Sequence, residues 1–314
     1  MASTSKEFME PICQLCACKS YHKVFTKKGY EHLQCDRCRS IYVFPRPSEA
    51  ELIGFYQQDG EHLSDTCWQD SHRHAWDLWK QTLKMAKRKS GTGKLLDIGC
   101  GTGEFMRFAQ QEGWTDVQGI EVVPEIAAIA TQKTGATVYA TDFWNAPLKA
   151  GDYSVIAIWD VIEHLRDVSV TLSRIYDLLK PGGVLIIGTV NRDGFSIKML
   201  RHHAQTFGPP EHLTFFTQRG AYLALATQNF SKIHQWSVFI YLQEWTRFLP
   251  KREKTSSIQA KDTHSELTET KPTETQPTET KLTETPLFLS CMKLANVFLR
   301  LTNLGDELVI VAQK

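Results

Sequence analysis

Two pairs of cysteines near the start of the chain, Cys13-Gln-Leu-Cys16 and Cys35-Asp-Arg-Cys38, are separated by 18 residues. Each C-x-x-C turn can aim two sulfurs at one ion, and two such turns complete a tetrahedron. The spacing therefore reads as a four-thiolate zinc site. Four thiolates leave no open coordination position, so the ion would be structural rather than catalytic. Cys18 stands close enough to compete with Cys16 as a ligand. A metal-free ribbon is the plainer alternative. A redox dithiol fits less well, because such a pair should open a helix in a thioredoxin-like unit.

The second chemical constellation is Leu95-Leu-Asp-Ile-Gly-Cys-Gly-Thr-Gly103, an apolar run leading into glycines at alternate positions. Glycine lets the backbone turn sharply and lets a ligand approach the main chain. A helix beginning just after would add unpaired N–H groups. A dinucleotide fingerprint wants a glycine at position 104, but Glu104 stands there and would face a pyrophosphate with negative charge. Asp97 is equally ill-placed beside phosphate and suits a cationic or amine-bearing ligand.

These residues need a frame to hold them. Residues 23–34 read as a hairpin with Gly29 at its tip, giving a zinc ribbon over 1–45. Ser48 and Glu51 form a capping-box pattern opening a helix over Ser48–Gln58, and Asp70–Lys89 reads as an amphipathic helix, so 46–90 is a helical linker or lid. From Lys94 onward, strands alternate with helices. Strands are expected over 94–98, 117–121, 137–140, 153–159 and 184–189, and helices over 104–112, 124–134 and 168–179, the last stopped by Pro181-Gly-Gly183. This alternation predicts an α/β fold, a mostly parallel sheet covered by helices on both faces. A helix over 218–227 and a strand over 233–241 complete the core, 91–250. Residues 251–285 contain threonine-, proline- and glutamate-rich five-residue repeats with too little apolar surface to fold, and are expected to be a disordered insertion. An apolar helix over 287–301 and a strand over 307–312 make up the segment 286–314.

With these elements in place, the chain resembles the class I S-adenosylmethionine-dependent methyltransferases, whose first motif is D-x-G-x-G-x-G. Asp97, Gly99, Gly101 and Gly103 match it, with Cys100 inside the loop. The resemblance implies a Rossmann-like seven-stranded sheet whose seventh strand runs antiparallel, supplied by 233–241 and 307–312. It implies S-adenosylmethionine as cofactor, with Glu121 on the ribose hydroxyls, Asp142 near the adenine amino group and Phe143 able to stack. Asp160 lies in the segment Trp159-Asp-Val-Ile-Glu-His-Leu165 that closes the fourth strand, and Pro181-Gly-Gly183 is a further family mark. A subset of the family that includes sugar C-methyltransferases carries a four-cysteine module ahead of a linker similar to Ile41-Tyr-Val-Phe-Pro-Arg-Pro-Ser48.

Methyl transfer is an in-line displacement, and a hydroxyl or carbon acceptor must also lose a proton. His164, paired with Glu163, and His212 are the candidate bases, since imidazole titrates near neutrality. Arg201, His202 and His203 could meet an anionic substrate, though a solvated basic loop is the plainer reading. Lys+Arg at 36 against Asp+Glu at 35 leaves a net charge of +1, which argues against nucleic acid held by bulk charge. The expected acceptor is a small molecule: a sugar, lipid or quinone-like compound. An RNA, DNA or protein methyltransferase docking through the basic ribbon, and a non-catalytic cofactor-binding module, are the competing classes. No transmembrane segment is expected, although 287–301 could touch a membrane surface. Eight cysteines and no signal-peptide core suggest a cytoplasmic protein.

Overall fold

The computed structural model describes residues 10–48, 51, 52, 54, 75–241, 243–246 and 295–314. The repeat insertion over 251–285, residues 287–294 of the apolar helix, residues 70–74, and all of Ser48–Gln58 except 48, 51, 52 and 54 lie outside the described residues. The capping box itself is within them: Glu51 Oε2 accepts from both the backbone N–H and the hydroxyl of Ser48, each at 2.7 Å, and the Glu51 N–H donates to Ser48 Oγ.

The core is a seven-stranded sheet. In chain order it contains β4 (Leu95–Ile98), β5 (Val117–Glu121), β6 (Thr137–Ala140), β7 (Tyr153–Trp159), β8 (Leu179–Val190), β10 (Ser231–Val238) and β11 (Glu307–Gln313). Across the sheet the order is β10-β11-β8-β7-β4-β5-β6. The five strands from β4 to β8 run parallel, and β11 pairs antiparallel with both β8 and β10. This is the expected α/β architecture with its antiparallel seventh strand.

Burial explains the strand patterns. Parallel strands covered on both faces become continuously apolar. Leu96, Ile98, Ile156, Ile158, Leu185 and Ile187 fill one face, where α4 (Val168–Leu178) and α6 (Gln218–Thr227) pack. Leu95, Val155, Ala157, Val184, Ile186 and Val311 fill the other, against α1 (Trp76–Ser90) and α2 (Glu104–Gln111). Helix α3 (Pro124–Thr134) opens with proline in its first turn and joins β5 to β6.

One expectation needs correction. Pro181-Gly-Gly183 does not stop a helix; α4 ends at Leu178 and β8 runs straight through the segment. Its pairing with β7 shifts register between Tyr153 and Val155, which accommodates the irregular stretch.

The ribbon is built from β1 (Tyr21–Lys27), β2 (Tyr30–Cys35) and β3 (Ile41–Phe44). Lys28 and Gly29 both have positive φ, as a two-residue hairpin turn between right-twisted strands requires. A fourth strand, β9 (Thr214–Phe215), completes this sheet from the far end of the core, pairing Ile41 with Phe215 and Tyr42 with Thr214. Residues 41–48 are therefore partly sheet rather than plain linker. Behind this sheet His32 is fully buried, stacked on Phe25 at 4.2 Å and flanked by Phe207 and Phe215. Burial pushes its imidazole down to about 4, so it packs as a neutral ring.

Gly119 sits where β5 passes beneath the glycine loop. A Cβ there would lie 2.7 Å from both Cys100 Sγ and Met106 Sδ. Gly119→Ala is expected to destabilise the protein by about 1–3 kcal/mol, the usual cost of overpacking. Urea unfolding followed by circular dichroism measures it.

Candidate functional site

The sheet reverses its strand order beside β4, and ligands of open α/β sheets bind outside the carboxyl ends of strands at such a switch point. A crevice of about 410 Å³, counted to its open mouth, lies there. Asp97, Gly99, Cys100, Gly101, Glu104 and Asp160 line it, together with Trp79 from α1 and Phe105 from α2.

The local fold follows from the glycines. Gly99, Gly101 and Gly103 have φ of 70°, 51° and 83°, the left-handed region that side chains resist. A Cβ on Gly99 would strike Val161, whereas one on Gly101 would meet nothing within 4 Å, because the crevice opens above it. The N–H groups of Gly99 and Cys100 both donate to the Ile120 carbonyl at 2.9 Å. Glu104 occupies the first turn of α2, where its charge suits the helix dipole, and Lys133 pairs with it at 2.8 Å.

Glu121 closes β5 and is tied to the loop. Its Oε2 accepts from the Gly101 N–H and its Oε1 from the Val123 N–H, both at 3.0 Å. Burial nevertheless raises its carboxyl above the usual range. Asp97 is 2% exposed, and no described residue donates to its carboxylate. Burial, with the neighbouring Glu121 charge, pushes it up to about 8.

Asp142 stands on the turn after β6. One oxygen accepts from the N–H groups of Trp144 and Asn145, and the other from the Asn145 amide. Phe143 is 7% exposed, with the Arg174 guanidinium 4.7 Å from its ring centroid. It packs in the core, with Arg174 over its ring. None of Glu121, Asp142 and Phe143 lines the crevice described above.

On the other side of β7, Asp160 takes a φ of 50°, unusual for a residue with a side chain, and exposes its carboxylate at the crevice mouth. Glu163 and His164 follow in a single 3₁₀ turn (Ile162–His164). The segment from Asn191 to Thr217 then returns to this place. It contains α5 (Phe195–Leu200), a 3₁₀ turn carrying Arg201, His202 and His203 on the exposed surface, and His212. The Leu213 N–H donates to the Glu163 carbonyl at 2.8 Å, so His164 and His212 face each other with ring centroids 4.6 Å apart.

The histidines are held alike. His164 Nδ1–H donates to the Glu211 carbonyl at 3.1 Å, and His212 Nδ1–H to the Thr206 carbonyl at 2.6 Å. Glu163 is 1% exposed; its Oε2 accepts from the Thr189 hydroxyl at 2.8 Å, and its Oε1 has no partner among the described residues. Burial, together with the Asp160 charge, pushes its carboxyl up to about 8.

Two features had no clear signal in the sequence. Glu307, at the start of β11, is buried beside Asp160 and Glu163, which push its carboxyl well up after burial itself. Trp79, Phe105 and Trp159 form an aromatic wall with centroids 5.5–6.3 Å apart, and the buried indole N–H of Trp159 lacks a partner among the described residues.

In the ribbon, Cys13 Sγ lies 3.6 Å from Cys38 Sγ and Cys16 Sγ lies 3.5 Å from Cys35 Sγ, all four sulfurs falling within 4.8 Å of one another. Four ligands on a tetrahedral zinc with 2.3 Å bonds would be separated by about 3.8 Å. Cys18 instead directs its thiol to the Ser20 carbonyl. Burial pushes the Cys35 thiol up to about 12.

Residues 70–235 match the model of a family described as a methyltransferase domain. A ubiquinone biosynthesis O-methyltransferase of Rhodopseudomonas palustris is 26% identical over 182 residues, covering 56% of this chain and 64% of that one. Its counterpart in Cereibacter sphaeroides is 33% identical over 111 residues, covering 34% and 44%. The chain thus spans less than two thirds of these relatives. Among solved structures, a SAM-dependent methyltransferase of Thermotoga maritima aligns with a TM-score of 0.52 at 19% identity, covering 84% of this chain and 99% of that one.

Asp97 generates a prediction about the ligand-free protein. Its carboxyl titrates near 3.8 when unfolded and near 8 when folded, so between those values the native state holds more protons. Stability therefore falls as pH rises through that window. Asp97→Asn is expected to flatten this slope and to raise the melting temperature near pH 8, as read by calorimetry at several pH values.

Proposed function

Because the chain belongs to the methyltransferase-domain family, we propose that it transfers the methyl group of S-adenosylmethionine to a small-molecule acceptor. One observation carries this reading. The crevice combines a glycine loop open above Gly101, a buried Asp97 with no described donor and the Trp159 indole N–H, unpartnered among the described residues, while Glu121 is anchored to the backbone of that loop. That is a cradle for a nucleoside bearing hydroxyls, an amine and a positive charge, and the residues fit the cofactor.

The cofactor supplies an electrophilic methyl on a sulfonium centre. The chain's own residues position and desolvate. Glu121 offers its remaining lone pairs to the ribose hydroxyls. Asp97 and Asp160 attract the cationic end, while Gly99, Cys100, Gly101 and Gly103 let the main chain come close. Asp142 would reach the adenine amino group while keeping its local hydrogen bonds. Trp79, Phe105 and Trp159 exclude water, which strengthens the electrostatics within. Glu163, His164 and His212 stand on the acceptor side and handle the acceptor's proton, the two Nδ1–H bonds fixing both rings.

The similarity to ubiquinone biosynthesis O-methyltransferases favours a quinone-like acceptor methylated on oxygen, among sugar, lipid and quinone-like compounds. The ribbon's basic residues give the nucleic-acid alternative little support. Lys19 and Lys23 pair with Glu10 and Glu31, and Lys27 and Arg37 donate to backbone carbonyls. Among the described residues no helix is long and apolar enough to cross a membrane. We further assign Cys13, Cys16, Cys35 and Cys38 to one structural zinc, on the strength of their mutual spacing.

Glu121→Ala is expected to weaken S-adenosylmethionine binding by about 10-fold or more, since hydrogen bonds to charged groups are worth about 1.5–3 kcal/mol each. Calorimetric titration tests it, and unchanged affinity would remove the site. Purified protein is expected to carry about one zinc per chain. Stripping that zinc should lower kcat more than cofactor affinity, because β9 ties the ribbon to the His212 loop rather than to the glycine loop. Steady-state kinetics with labelled donor and a panel of phenolic, sugar and lipid acceptors measures this.

A further inference from the structure

We infer that Glu163, His164 and His212 form a divalent-cation site on the acceptor side of the crevice, separate from the ribbon. One ligand atom from each lies within 4.8 Å of the others. Each imidazole spends its Nδ1–H on a backbone carbonyl, and a carbonyl only accepts, so the neutral ring keeps its lone pair on Nε2. Metal-ligating histidines are oriented in this way, with the second nitrogen donating to a carbonyl or carboxylate that fixes the tautomer. Glu163 completes the set. Its Oε2 is held by Thr189, and its Oε1 is buried without a donor.

Charge points the same way. Glu163 and Glu307 are both buried, and neither pairs with a lysine or arginine among the described residues. A buried carboxylate without a counter-charge calls for a proton or a cation. Two imidazoles and one carboxylate suit a first-row ion such as manganese, iron, cobalt or zinc rather than calcium, and three protein ligands leave coordination positions open. The open positions would take the acceptor's oxygen, which narrows the acceptor class to hydroxyl compounds, best with a second oxygen alongside.

The use of the ion rests on the methyltransferase reading; its binding does not. A hydroxyl on the ion ionises more readily and releases its proton to water. Its oxygen lone pair forms the new C–O bond as the methyl–sulfur bond breaks. That bond pair stays on sulfur, leaving a neutral thioether, a methyl ether and one proton. The histidines then act on the acceptor proton through the ion rather than by accepting it.

The test is Mn2+ titration of the full chain, with the ribbon zinc left in place, following the free-ion signal by electron paramagnetic resonance. One Mn2+ per chain is expected in the wild type. His212→Gln and Glu163→Gln should each weaken it by at least about 10-fold. S-adenosylmethionine calorimetry on the same samples shows that the variants remain folded. No Mn2+ uptake by the wild type, or equal uptake by folded variants, would overturn the inference. If the wild type binds S-adenosylmethionine but no Mn2+, the cation site falls and the methyltransferase reading stands. Mn2+ bound without S-adenosylmethionine supports the site and removes the reading.

Discussion

Two residue pairs, Ile41 with Phe215 and Tyr42 with Thr214, hold this molecule's two halves in register. They turn a small ribbon into a wall of the core. Other bonds reinforce the seam. The Val43 N–H donates to the Leu213 carbonyl, Thr217 bonds Ser40 and the Cys38 carbonyl, and Arg46 reaches the Arg166 carbonyl. Thr217 is also the N-cap of α6, accepting from the Gly220 N–H at 2.9 Å. The cysteine cluster therefore lies one hydrogen bond away from a core helix, and one short strand away from His212. Whatever steadies the cysteines steadies the loop that carries His212.

A second constraint is the concentration of buried acid. Asp97 in β4, Glu121 at the end of β5, Glu163 in the turn after β7 and Glu307 at the start of β11 are all buried, and burial raises every one of them. Taking a carboxylate out of water is expensive unless donors or a cation compensate. Glu121 has its donors in the loop backbone, and Glu163 has one in Thr189. Asp97 and Glu307 have none described. The protein keeps these acids against their cost in stability, as sites shaped for a ligand do.

Much of the core was legible because buried parallel strands write themselves as continuous β-branched runs. Tyr153–Trp159 is found as read, and Val117–Glu121, Thr137–Ala140, Pro124–Thr134 and Gln218–Thr227 keep their expected bounds. Within residues 195–217 the histidines were legible as chemistry but α5 and β9 were not. β9 has no period of its own and takes its place from pairing with Ile41 and Tyr42, far away in sequence. Glu307 was hidden for a similar reason, since only the sheet order brings the start of β11 beside β8 and the Glu163 turn. Phe143 looked like a stacking platform because an aromatic follows an acid there, and only packing under Arg174 shows which way its ring lies.

The strand order has a consequence for synthesis on the ribosome. β11 lies between β8 and β10, yet it is translated after every other described strand. Until residues 307–313 emerge, the nascent sheet must leave β8 with an open edge, a template for stray pairing. That edge closes in the same event that delivers Glu307 beside Asp160 and Glu163. The growing chain thus stays both sticky and chemically incomplete until its last strand slots home.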